Sequence, residues 1–227
     1  MKKNKRNIIL CAFLIILAIA FTLIVKFVNV QPTGVNNTDI GLATINHSVF
    51  DSIGESSIWY KITKYLGIVL ALYAVTYLGI GLVQLIKRKS LAKVDKEIKL
   101  LGLFYLAVLA IYFLFDKVII INYRPILVNG VAEASYPSSH TLFSVCLCVS
   151  SILINRKLFN NKYTKILNVI TFILMVTIVV GRLLSGVHWF TDIIGGILIS
   201  SALLMTLYSL MSASKKEKEK EKKVEKE

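Results

Sequence analysis

The chain has 227 residues, of which 56% are hydrophobic, a mean hydropathy of +0.68 and a formal net charge of +14. A soluble domain this apolar would expose large patches and aggregate, which excludes an ordinary soluble globular protein. The positive charge lines one side of a series of apolar runs, without the interleaved exposed aromatics of a nucleic-acid-binding surface.

The first apolar run is Ile8–Val25, preceded by Lys2, Lys3, Lys5 and Arg6. A basic start also opens a secretory signal, but this core is long and no small-x-small cleavage site follows before Lys26, so the run reads as a retained span. The segment from Lys26 to Tyr65 is the longest loop. Gln31-Pro32-Thr33-Gly34 reads as a turn. Beyond it Ile40, Leu42, Ala43, Ile45, Val49, Phe50 and Ile53 recur near helical spacing, which predicts an amphipathic helix on the outer membrane surface. His47 within it reads as a lone surface histidine, and Asn46-His47-Ser48 and Asn36-Asn37-Thr38 as chance acceptor triplets.

Leu66–Ile86 is the second run and Leu100–Phe115 the third, with Val118–Ile121 extending it past Lys117. Thr141–Ile154, Ile166–Val180 and Ile193–Met211 complete the set. A spanning helix needs roughly 20 apolar residues, and the polar flanks Ser138–His140 and Lys162–Lys165 lengthen the two shorter runs. The expectation is an all-α integral membrane protein, a six-transmembrane helical bundle with an outer amphipathic segment, forming one domain over residues 1–214. Cys11, Cys146 and Cys148 all fall inside predicted spans, as small apolar filler and not as a disulfide frame or zinc site. The tail 215–227 alternates seven Lys with five Glu and reads as a solvated, frayed helix or a disordered end.

Six spans place alternate connections on opposite sides. One side, with the two termini, the Lys87–Lys99 loop and the Arg156–Lys165 loop, carries 21 of the 27 Lys and Arg. Positively charged loops stay inside, so this side is expected to be cytoplasmic. Of the six cations left outside, Lys117, Arg124 and Arg182 lie at predicted helix ends close to His140 and His188. Snorkelling accounts easily for one such residue and poorly for three.

These residues make a pattern. Lys117 and Arg124 are seven apart; in a helix that is two turns, on one face and about 10 Å along the axis, with Pro125 stopping the helix. Ser138 before the apolar run at Thr141 is an N-cap signal, and the helix start it predicts offers backbone N–H groups to an anion, with Ser139 and His140 beside it. Arg182 closes the anion site from another helix end. His188 and Asp192 are four apart, one turn on the same face if helical, where a carboxylate can hold an imidazole in one tautomer. Three cations suit a multiply charged anion and two imidazoles suit a nucleophile and an acid, which points to phosphoryl transfer.

Lys117-x6-Arg124-Pro125, Pro137-Ser138-Ser139-His140 and Gly181-Arg182-x5-His188-x3-Asp192, in this order, resemble the three-part signature of the type 2 phosphatidic acid phosphatase (PAP2) superfamily, the membrane lipid phosphate phosphatases. The resemblance is closest over 116–196. It implies that His188 attacks phosphorus to form a phosphohistidine, that Asp192 orients it, and that His140 protonates the leaving group and then activates water. It further implies that Lys117, Arg124 and Arg182 hold the phosphoryl oxygens, to which the helix start adds Ser138 and Ser139 as phosphate contacts, and that no cofactor or metal is needed, because guanidinium and ammonium groups fill that role. Glu133 is the only acidic residue between Lys117 and Asp192, in keeping with this. Ser139 stands where the family has glycine, and Gly181 where it has serine.

The implied activity is hydrolysis of a lipid phosphate or pyrophosphate at the outer face of the cell membrane; family substrates include undecaprenyl diphosphate, phosphatidylglycerophosphate and phosphatidic acid. The implied partners are that lipid and the bilayer, not nucleic acid. Two other readings share the residues: a lipid phosphotransferase, which passes the phosphoryl group to a second lipid, and a non-catalytic lipid-phosphate-binding membrane protein. The second of these would need the cations but not His140, His188 and Asp192 together.

Overall fold

The computed structural model describes residues 2–128, 130–159 and 162–224; the side chains of 2–4, 156, 157 and 214–224 lie outside the description, including those of the charged tail. Among the described residues the chain is helical, with no strand beyond isolated bridges. Its helices are α1 (Lys2–Phe27), α2 (Ala43–Ile53), α3 (Ser57–Arg88), α4 (Lys96–Phe113), α5 (Ser139–Leu158), α6 (Tyr163–Leu184) and α7 (Phe190–Val224). Five stretches, Lys5–Phe27, Ser57–Arg88, Lys96–Val118, Tyr163–Leu184 and Phe190–Ala213, are long and apolar enough to cross a membrane. The shorter Ser139–Asn155 is the apolar part of α5.

The reason α5 is the least lipid-like of the set is its position. It packs against α3, α4, α6 and α7 and is covered by protein on several sides. Leu142, Cys146, Cys148 and Ile154 are buried there, and so are Ser144, Ser150, Ser151 and Asn155. A helix enclosed by other helices can carry serines whose hydroxyls bond back to its own carbonyls, as Ser151 Oγ does to Leu147 O at 2.6 Å. Helix α1 lies along α7, and α3 along α6.

The connections at one end of this bundle build the site. Helix α4 finishes in a π turn at Leu114–Val118, after which the chain is irregular until α5 begins. This corrects the expectation of one helix running from Lys117 to Arg124. The run Val118-Ile119-Ile120-Ile121 is β-branched and favours extended backbone, and Pro125 pushes Arg124 the same way. Residues 122–124 instead run antiparallel to 133–135: Arg124 N donates to Glu133 O at 3.0 Å and Ser135 N to Asn122 O at 2.9 Å.

The segment before α2 folds onto the same end. Gln31 and Ile40 exchange backbone hydrogen bonds across the predicted turn. The predicted amphipathic helix is present as α2, but its inner face meets protein: Ile40 and Ala43 cluster with Trp189, and Asn46 is buried. His47 is not a free surface histidine. Its Nε2 lies 2.7 Å from Thr33 Oγ1 and its ring meets Trp189 edge-on with centroids 5.0 Å apart.

Candidate active site

The N-terminus of α5 follows the capping logic of its sequence. Ser138 caps it, accepting from Thr141 N at 3.4 Å and from Thr141 Oγ1 at 3.1 Å. The Ser138 hydroxyl thus accepts at the helix start, while its backbone N–H donates to Asp192 O at 3.0 Å and so joins the starts of α5 and α7. Ser139 is the first helical residue. Serine is unstrained in that conformation, which accounts for its standing where glycine is usual.

The start of α7 is closed by Asp192. Its Oδ2 accepts from Trp189 N at 2.9 Å, and its own N–H donates to Trp189 O at 3.1 Å, a reciprocal cap of the first turn. The same oxygen lies 3.6 Å from Nδ1 of His188, which precedes the helix. The second oxygen, Oδ1, accepts from Asn122 Nδ2 at 3.3 Å. The pair is thus brought together as its spacing predicts, at the helix mouth and not along a helix face. Both ring nitrogens of His188 are buried without a hydrogen-bond partner. Burial, with the neighbouring guanidinium groups of Arg124 and Arg182, holds the His188 imidazole well below its ordinary pKa of 6.5, so it is neutral at pH 7.

His188 lines a cavity of about 650 Å³ together with Lys117, Arg124, Ser139, Asp116 and Glu133. Lys117 reaches it from the π turn, with an exposed side chain whose Nζ is 2.9 Å from Asp116 Oδ2. Arg124, mostly buried, has its Nε 3.0 Å from Glu133 Oε2. Each cation of this cavity therefore has a carboxylate beside it, a feature missed in the sequence, where Glu133 reads only as an isolated acid. The antiparallel pairing of 122–124 with 133–135 is what sets Glu133 opposite Arg124.

Arg182 and His140 stand behind this cavity. Arg182 is 2% exposed, donates from Nη1 to Thr63 Oγ1 at 3.3 Å, and lies 5.6 Å from the ring centre of Tyr60. Its Nε has no hydrogen-bond partner. The next-door Gly181 is required by packing: a Cβ there would meet Thr63 Cγ2 at 2.6 Å and the Trp59 ring at 2.9 Å. Close contact with α3 thus explains glycine where serine is usual. His140 opens on a second, more apolar groove of about 390 Å³, lined by Lys64, Gly67, Ile68, Phe143 and Ile178. Ser139 belongs to both spaces.

Asn122 and Thr191 carry no mark in the sequence, and Asn46 reads there only as part of a chance triplet. All three are buried and mutually bonded around Asp192. Asn46 is no glycan acceptor, since its amide is fully enclosed. An asparagine at zero exposure inside a loop has no pattern that marks it in advance.

The model of the PAP2 superfamily matches residues 117–216. A solved structure similar in fold is the transmembrane PAP2-type phosphatidylglycerolphosphate phosphatase from Bacillus subtilis, at 18% identity and a TM-score of 0.61, over 94% of this chain and 98% of that one. No curated protein sequence matches. With the apolar helices, these findings make the chain a multi-pass membrane protein of that fold.

Proposed function

We propose that the chain, whose residues 117–216 match the model of the PAP2 superfamily, is a phosphatase of membrane lipid phosphates, working through His188. The observation that carries this reading is the shared cavity: a neutral, unpartnered His188 backed by Asp192 at 3.6 Å opens on the space lined by Lys117, Arg124 and Ser139. A phosphoryl group in that space would meet two cations and the start of α5, with its unpaired backbone N–H groups and positive dipole end.

In the proposed reaction a nitrogen of His188 attacks phosphorus and the bond from phosphorus to the leaving oxygen breaks. His140 gives a proton to that oxygen, and the lipid alcohol or lipid phosphate departs. Asp192 stabilises the positive charge that His188 acquires. Water then attacks the phosphohistidine, His140 takes back a proton, and inorganic phosphate is released. Lys117, Arg124 and Arg182 balance the charge on the equatorial oxygens in both steps. His140 lies at the head of the apolar groove, where the lipid portion of a leaving group would be covered. The chemistry uses imidazoles and fixed cations alone.

A six-span arrangement is proposed with α5 as the short central span, both termini cytoplasmic and the site facing outward. The lysine-rich Lys87–Lys99 connection lies at the opposite end of α3 and α4 from the site, which supports that orientation. An outward site suits lipid phosphates released there, such as undecaprenyl diphosphate, phosphatidylglycerophosphate or phosphatidic acid.

The test is phosphate release from a panel of lipid mono- and diphosphates in detergent with chelator present. Wild-type protein is expected to release phosphate and His188→Ala to lose at least about 10³-fold in rate. Equal release by the two proteins, or activity that vanishes with chelator, would overturn the proposal. Transfer to an added lipid alcohol, read as a new lipid phosphate, would identify the phosphotransferase.

A further inference from the structure

Resting on the reaction just proposed, we infer that Asn122 is a positioning residue for the His188–Asp192 pair, through which the segment Gln31–Asn46, outside residues 117–216, supports the reaction centre.

The orientation of the Asn122 amide follows from its partners. Its Oδ1 accepts from the backbone N–H of Gly41 at 2.9 Å, and a backbone N–H can meet only the oxygen of the amide. Its nitrogen is therefore turned to the other side, where Nδ2 lies 3.3 Å from Asp192 Oδ1. The backbone carbonyl of Asn122 is held as well, by Ser135 N at 2.9 Å. The side chain has zero exposure, so no water competes for either end.

Gly41 is equally constrained. Its carbonyl accepts from Asn46 Nδ2 at 2.8 Å, and the same amide nitrogen donates to Thr191 Oγ1 at 2.9 Å. Asn46 Oδ1 in turn accepts from Thr191 N at 3.1 Å. A Cβ on Gly41 would overlap the carbonyl oxygen of Val25, so only glycine lets this segment pass the end of α1. Two asparagines thus grip one glycine, and both reach the first turn of α7.

The consequence concerns a carboxylate with two differently held oxygens. Oδ2 faces Trp189 N and His188; Oδ1 has Asn122. In a site with no exposure, loss of the donor to Oδ1 leaves that oxygen to seek another partner by rotating the carboxylate. The 3.6 Å gap to His188 Nδ1 is already at the edge of hydrogen bonding, so a rotation of a few tenths of an ångström decides whether the imidazole is oriented.

The experiment uses full-length protein in detergent, with the lipid phosphate that the wild type turns over fastest. Asn122→Ala is expected to lower kcat about ten- to hundredfold with KM within about twofold, the loss of one hydrogen bond to a buried charge. Asn122→Asp, nearly the same shape but an acceptor facing a carboxylate, is expected to do at least as much and serves if alanine lowers the yield. Asn46→Ala is expected to follow the same pattern more weakly. A readout independent of turnover is the ring-nitrogen NMR of the chain's three histidines, with His188 assigned from His188→Gln. Asn122→Ala and Asp192→Asn should move the same His188 nitrogen signal, which a merely structural residue would not do. An unmoved His188 signal, or an effect confined to KM, overturns the inference. If wild type and His188→Ala release phosphate equally, the proposed reaction fails, and the NMR comparison alone decides whether Asn122 orients the pair.

Discussion

Two buried polar clusters lie at opposite ends of α5, and they are built on opposite rules. At the far end from the site, Asn155 accepts from Tyr77 OH at 2.6 Å and donates to Asn168 Oδ1 at 2.9 Å and Tyr73 OH at 3.2 Å. Thr171 adds a bond to the same Tyr73 hydroxyl at 3.3 Å. Both N–H groups of the Asn155 amide and its oxygen are bonded, and the group ties α3, α5 and α6 together. At the site end, His188 Nδ1 has only the 3.6 Å approach of Asp192 Oδ2, and its Nε2 and the Nε of Arg182 are enclosed without a hydrogen bond among the described residues. Burying polar groups without partners costs stability, so the first cluster is interhelical glue, while the second is held at a cost in stability that the proposed reaction would explain.

Breaking each cluster should therefore give different losses. The largest is expected from Arg182→Gln, which removes a buried cation behind the proposed phosphoryl position: phosphate release should fall about 10²–10³-fold, measured against wild type in the same detergent, while thermal unfolding is unchanged or later. The pH dependence of stability should separate the ends as well. Because folded His188 binds its proton less readily than the unfolded chain does, the unfolded state takes up more protons as pH falls below about 6.5. Stability contributed by neutral His188 is then present above 6.5 and lost below it, at no more than about 1.4 kcal/mol per pH unit. His188→Gln should flatten that part of the unfolding profile. Asn155→Leu should cost about 1 kcal/mol of stability in thermal unfolding and leave phosphate release within about twofold. The smallest effect is expected from Glu133→Gln, which frees the partly exposed Arg124 ion pair. KM for a lipid phosphate should fall by no more than about fivefold, since Glu133 is open to solvent, which screens the pair although Arg124 is mostly buried.

The candidate site was legible in the sequence to the extent that the proposed chemistry rests on charged residues at run boundaries. Lys117, Arg124, His188 and Ser139 do line one cavity, with Asp192 at the imidazole. Hydropathy also marks α1, α3, α4, α6 and α7, because a run of apolar side chains is a local property. The helical link from Lys117 to Arg124 failed for a local reason that seven-residue spacing cannot express: a β-branched run and a proline favour extended backbone there.

What remained hidden depends on contacts between distant segments. Gly41, Asn122 and Asp192 are far apart in the chain and become one hydrogen-bonded line only when the segment Gln31–Asn46 folds over the end of α1. The carboxylates beside Lys117 and Arg124, the packing that demands Gly181, and the division of Ser139 and His140 between a polar cavity and an apolar groove are of the same kind. The sequence by itself determined which residues bear charge and which stretches favour helix, since both are set within a few residues. The tertiary structure decided which polar groups are satisfied and which are left waiting, since a partner for a buried donor must come from wherever the chain returns.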